Sequence, residues 1–127
     1  YIMDEPGCAE LKKYILGEVL DFAQNTLCYD YPEYVFSQTW VSWKEPGQFH
    51  TAHTHPNSMI SAVFFYGYVE ENTPGLLLIF PSHFTHAVPP NKTQYTRKSV
   101  SMNIVPKCGM GDENALTELR WDKVLGK

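Results

Sequence analysis

The stretch Met59-Ile-Ser-Ala-Val-Phe-Phe-Tyr-Gly-Tyr68 is apolar almost throughout and rich in β-branched and aromatic residues. It is too short to cross a membrane as a helix, and it reads as a β-strand buried on both faces. Such a strand constrains the fold, because each of its faces has to be covered by another layer.

One layer is legible upstream. Asp4-Glu5-Pro6 places two acids and a proline where a helix begins. Leu11, Ile15, Val19 and Phe22 recur at helical spacing, with Leu16, Leu20 and Ala23 beside them and Lys12, Lys13, Glu18 and Asp21 on the flanks. The pattern predicts an amphipathic helix over about residues 7–25 whose apolar stripe covers a sheet.

From Val35 the period changes to two. Phe36, Gln38, Trp40 and Ser42 alternate with Val35, Ser37, Thr39, Val41 and Trp43, a strand pattern closed by the turn Lys44-Glu45-Pro46-Gly47. Leu76 to Phe80 reads as a short apolar strand entered through a polar connection, Val69 to Gly75, and stopped by Pro81. Arg97 to Val105 alternates polar with apolar: Arg97, Ser99, Ser101 and Asn103 share one face, and Val100, Met102 and Ile104 share the other. In the tail, 106–127, Lys107 to Asp112 is a loop, and Leu116 to Trp121 fits either a strand or a helical turn.

The chain therefore reads as one mainly β domain over 1–127: a helix at about 7–25, a β core at about 35–105 and an unassigned tail. A small sandwich or jelly roll with the helix packed outside is the expected architecture. About six strands are visible where a full jelly roll has eight. The roll is thus abbreviated, or a segment between Tyr68 and Leu76 is absent from the sequence.

Composition narrows the function. With 43% hydrophobic and 19% charged residues a folded protein is expected, and 14% aromatics with nine prolines suit a turn-rich β fold. A net charge of -4 without a basic run gives no electrostatic basis for binding nucleic acid. No apolar stretch has membrane-spanning length, and no signal-peptide pattern opens the chain, although Tyr1 suggests a piece of a longer one. Cys8, Cys28 and Cys108 are scattered and odd in number, as reduced thiols of a cytoplasmic protein would be.

The chemistry concentrates in Phe49-His50-Thr51-Ala52-His53-Thr54-His55-Pro56-Asn57-Ser58, which holds three of the five histidines. In extended chain His53 and His55 point the same way, and paired imidazoles suit iron, zinc, copper or nickel. A third ligand has to come from His83 or His86. Against this stands the plain alternative of a polar loop that binds nothing, since short motifs misfire often.

His53-Thr54-His55, the run Ser61 to Tyr66, Phe80-Pro81-Ser82-His83-Phe84-Thr85-His86-Ala87-Val88 and Arg97-Lys98-Ser99-Val100-Ser101-Met102-Asn103 follow one another in order. In this the chain resembles the iron(II)- and 2-oxoglutarate-dependent dioxygenases, more narrowly the short oxygenases of that kind from phages and bacteria. The resemblance runs from Trp40 to about Val105. It implies a double-stranded β-helix, the jelly roll again, with His53 and His86 as Fe(II) ligands. The usual carboxylate two residues after the first histidine is replaced by His55. Either His55 completes an all-imidazole site, or it turns away and leaves water there. Glu45, Glu70 and Glu71 are not spaced to substitute.

By the same resemblance Arg97 and Ser99 bind the distal carboxylate of 2-oxoglutarate, a role that a guanidinium fork and a hydroxyl donor suit chemically. Asn57 and Asn103 join them as candidate co-substrate contacts, with Ser61 and Tyr66 weaker ones. His50 reads as a neighbour of the site or a surface residue, and His83 as part of the pocket mouth. The implied activity is hydroxylation of an unactivated C–H bond with release of succinate and CO2. The substrate would be a small molecule or peptide, without nucleic-acid or membrane partners, and a homodimer is one option for assembly. Two rivals stand beside it: a cupin-like three-histidine metal enzyme that takes no 2-oxoglutarate, and a non-catalytic jelly-roll module.

Overall fold

The computed structural model describes residues 1–66 and 75–124. The end of the apolar run beyond Tyr66, most of the polar connection to Gly75 and any gap between Tyr68 and Leu76 lie outside the described residues. The chain is mainly β with one substantial N-terminal helix, and its sheets are antiparallel. Among the described residues no helix is long and apolar enough to cross a membrane.

The predicted helix is built in pieces. Short 3-10 turns at Ile2–Asp4 and Pro6–Cys8 lead into α1 (Ala9–Asp21), and a π-helical turn, Phe22–Thr26, extends it. Cys28 then takes a left-handed conformation (φ 58°), and the Tyr29 amide donates back to the Ala23 carbonyl, so the chain leaves the helix axis. Ile15, Val19 and Ala23, one turn apart, have no exposed surface. They form a single core with Met3, Tyr34, Ile60, Ala62, Val100, Met102 and Ile104.

Those last residues come from the main sheet. β1 (Tyr34–Lys44), β3 (Ile60–Phe65), β4 (Leu76–Pro81) and β6 (Arg97–Pro106) assemble in the order β1-β6-β3-β4. A separate ribbon pairs β2 (His50–His53) with β5 (His86–Val88). In the tail, β7 (Gly109–Met110) pairs with β8 (Leu119–Arg120), and α2 (Trp121–Val124) follows. The ambiguous segment Leu116 to Trp121 is thus a strand that passes into a helical turn. Gly109 and Gly111 lie so close to the Leu119 and Thr117 carbonyls that a side chain at either would collide with them.

Alternation along the sheet divides it in two. Val100, Met102 and Ile104 join Ile60, Ala62, Leu77 and Ile79 on the helix side. Ser61, Val63, Phe65, Leu76, Leu78, Phe80, Arg97, Ser99 and Ser101 face a cavity on the other. On β1 the division is not the one simple alternation predicts. Phe36 pairs with Ile104, but Gln38 pairs with Asn103, so Ser37 is an extra residue in the strand. This β-bulge reverses the parity, and Phe36 packs on the core while Trp40 and Ser42 face the cavity. The Ser37 hydroxyl donates to the Asn103 carbonyl across the bulge (3.2 Å).

Truncating the buried stripe should be costly. Ile15→Ala is expected to lower unfolding free energy by about 3 kcal/mol, while exposed Tyr14→Ala stays within about 0.5 kcal/mol of wild type. Urea denaturation of both variants checks this, and equal losses would place the core elsewhere.

Candidate metal centre

The β2–β5 ribbon brings two distant histidines face to face. His53 and His86 are direct cross-strand partners, with ring centroids 4.2 Å apart. Each ring folds back on its own strand: Nδ1 of His53 lies 2.8 Å from the Thr51 carbonyl, and Nδ1 of His86 lies 2.9 Å from that of Phe84. A carbonyl only accepts, so both Nδ1 atoms carry the proton and both Nε2 atoms present a lone pair. Backbone carbonyls orient metal-binding histidines in the same way.

His55, two residues past the end of β2, is held by a different device. Its backbone amide donates to the Ser82 carbonyl (3.0 Å), which fixes the loop after β2 to the turn before β5. Its ring lies nearly parallel to Trp40 and to His86. Nε2 of His55 and Nε2 of His86 are 3.1 Å apart. Of the two arrangements open to His55, the ring thus turns toward the other histidines.

One ligand nitrogen from each of His53, His55 and His86 falls within 4.8 Å of the others. Two imidazole nitrogens each about 2.1 Å from a shared ion stand roughly 3.0–3.4 Å apart at octahedral to tetrahedral angles. The His55–His86 separation falls in that range. The group is therefore compatible with a metal-binding site, and an all-nitrogen donor set accommodates iron, zinc, copper or nickel alike. His50 stacks on His53 at 4.3 Å but is exposed and stands outside the converging group. His83 is exposed, packs against Phe84 and does not line the cavity.

The three histidines open into a cavity of about 460 Å³ between the ribbon and the main sheet. Its β3–β4 wall is apolar, and its β1–β6 wall carries Ser42, Lys44, Arg97, Ser99 and Ser101. Arg97 is only 9% exposed, and its one described hydrogen bond is a long donation to the Pro89 carbonyl (3.4 Å). No carboxylate pairs with it among the described residues. Burying a guanidinium is costly unless an anion meets it, so this wall is built to receive negative charge. Ser99 is buried beside it on the same face, while Lys98 is exposed.

Asn103 does not line the cavity. It is buried behind His55, where its amide donates to Gln38 and its side-chain oxygen accepts from Ser61 at 3.4 Å. Asn57 is exposed and also stands outside the lining, as does Tyr66. Glu45 turns both carboxylate oxygens to the Thr96 hydroxyl (3.1 Å each), and Glu70 and Glu71 lie outside the described residues.

Two supports have no local sequence signal. Ser82, fully buried, donates to Ser58 (2.9 Å) and lies 2.8 Å from the Ser61 hydroxyl; Ser58 in turn accepts from the Ile104 amide (3.0 Å). Asn91 donates to the Lys44 and Tyr95 carbonyls (2.8 and 2.7 Å), tying the end of β1 to the approach to β6. These buried groups are satisfied by partners far apart in the chain. Neither position advertises them.

Burial, reinforced by the positive charge His86 and His53 would carry, lowers the His55 pKa from its ordinary 6.5; burial and His53 also lower that of His50. A histidine that resists protonation in the folded state binds fewer protons there than in the unfolded chain. Stability is therefore greatest above pH 6.5 and falls as pH drops below it. Thermal unfolding of the metal-free protein should show Tm decreasing between about pH 7 and pH 5, and the His55→Gln variant should flatten that slope. A flat wild-type profile would contradict the burial of His55.

No protein-family model matches the chain, and a search of curated proteins returns no relative.

Proposed function

We propose that the chain is a member of the iron(II)- and 2-oxoglutarate-dependent dioxygenases, of the short phage and bacterial kind, folded as an abbreviated jelly roll. The supporting observation is the joint one: three imidazoles converge at one side of a cavity whose opposite wall holds a buried arginine without a described carboxylate partner. The donor chemistry fits a divalent iron ion. His53, His55 and His86 would hold it, with carbonyl-locked tautomers on two of the three. Iron held there would supply the oxidising chemistry: O2 and 2-oxoglutarate are consumed, one oxygen atom enters the hydroxylated C–H bond and the other enters succinate, and CO2 leaves.

The protein's own residues do the rest. Arg97 and Ser99 anchor the distal carboxylate, a bidentate guanidinium and a hydroxyl meeting two oxygens. A neutral ligand set leaves the ion's double charge undiminished, which favours a dianionic co-substrate. The apolar wall of Val63, Phe65, Leu76, Leu78 and Phe80 offers a surface to a small-molecule or peptide substrate. Asn103 and Asn57, which stand outside the cavity lining, are given no contact with the co-substrate. A cytoplasmic protein, monomeric or a homodimer, suits this reading.

The all-imidazole donor set also favours a second reading, a cupin-like metal protein that takes no 2-oxoglutarate. Anaerobic addition of Fe(II) and then 2-oxoglutarate separates them. A visible charge-transfer band is expected on the second addition, and Arg97→Ala should remove it while retaining metal uptake. His86→Ala should lower cobalt(II) affinity by about 100-fold or more. Metal uptake with no spectral response to 2-oxoglutarate would sink the first reading, and no metal uptake would leave a non-catalytic module.

A further inference from the structure

Arg97 is not the only cation on its wall. Lys44, the last residue of β1, is its direct cross-strand partner, and both side chains line the cavity. Like charges set directly opposite each other in a sheet repel and destabilise it. The acid that could relieve them is turned away: Glu45, adjacent to Lys44, is engaged by Thr96, adjacent to Arg97. Among the described residues neither cation has a carboxylate partner.

The pair is also held in place. The Asn91 amide donates to the Lys44 carbonyl and to the Tyr95 carbonyl, so the chain carrying each cation is fixed to the other. The next pair inward on the same face is Ser42 with Ser99, again direct partners and again lining the cavity. Two cations and two hydroxyls thus form a four-cornered polar floor shared equally by β1 and β6.

We propose that Lys44 and Arg97 together clamp one oxyanion of a small carboxylate-bearing ligand, with Ser42 and Ser99 as flanking donors. The inference rests on the reading of Arg97 as an anion anchor and assigns half of that anchor to β1. One oxyanion between the two cations removes their mutual repulsion and supplies the missing acceptors. A ligand with a neutral end at this point is disfavoured, because it leaves a buried guanidinium and a half-buried ammonium without compensation.

Glutarate tests the clamp without engaging metal chemistry, since it carries two carboxylates and lacks the 2-oxo group. In calorimetric titrations of the full metal-free chain, Lys44→Met should weaken glutarate about tenfold, and Lys44→Arg should restore most of the loss. Without ligand, Lys44→Met should have a Tm equal to or above that of wild type, whereas a lysine with a purely structural role would lower it. Glutarate binding that needs Arg97 but is indifferent to Lys44 would overturn the clamp while leaving the dioxygenase reading standing. If wild type ignores glutarate but binds inorganic phosphate with dependence on both cations, the clamp stands and the 2-oxoglutarate reading falls. Binding of neither probe would overturn the clamp.

Discussion

The structure depends on β6, which lies between β1 and β3 and is satisfied by antiparallel pairing on both edges. With both edges occupied, its side chains have only two directions left, and the sequence assigns them opposite chemistries. Val100, Met102 and Ile104 meet α1 and close the core; Arg97, Ser99 and Ser101 meet the cavity. A shift of register by one residue would put a guanidinium among aliphatic side chains and methyl groups in water. The hydrophobic effect that seats the helix therefore also aims the polar wall.

The cavity is chemically lopsided for the same reason. Three imidazoles gather at one side, two cations stand on another, and apolar β3 and β4 residues fill the remainder. Such an interior concentrates positive potential without an internal counter-charge among the described residues. Both charged side chains that line it, Lys44 and Arg97, are cations. Serine and asparagine networks behind the lining keep these groups in place and satisfy buried polar atoms that would otherwise weaken the fold.

Much of this was legible in the sequence, and what was not has a physical explanation. The stripe through Ile15 and Val19, the apolar strand after Met59 and the alternation of β6 are local patterns, set by each element's own period; the strand after Met59 is buried at Ile60–Ala62 and only half-buried beyond. His53-Thr54-His55 was visible as a chelating pair for the same reason. The convergence with His86 is a matter of pairing between segments far apart in the chain, and the roles of Ser58, Ser82 and Asn91 depend on equally distant partners. Pattern reading also put Phe36 on one face with Trp40 and Ser42, because neither a glycine nor a proline stands at position 37 to announce an irregular strand. In the tail, β7 and β8 are too short to display any period at all.

The bulge at Ser37 has a wider consequence. It works as a phase shifter, joining a first half of β1 written in one reading frame of side-chain direction to a second half written in the other. Length changes elsewhere on the protein's rim can be absorbed where they fall, but removal of one residue here would be transmitted along the strand. Either Phe36 would lose the core or Trp40 and Ser42 would lose the cavity. The strand should therefore tolerate changes of residue type near Ser37 better than changes of residue number.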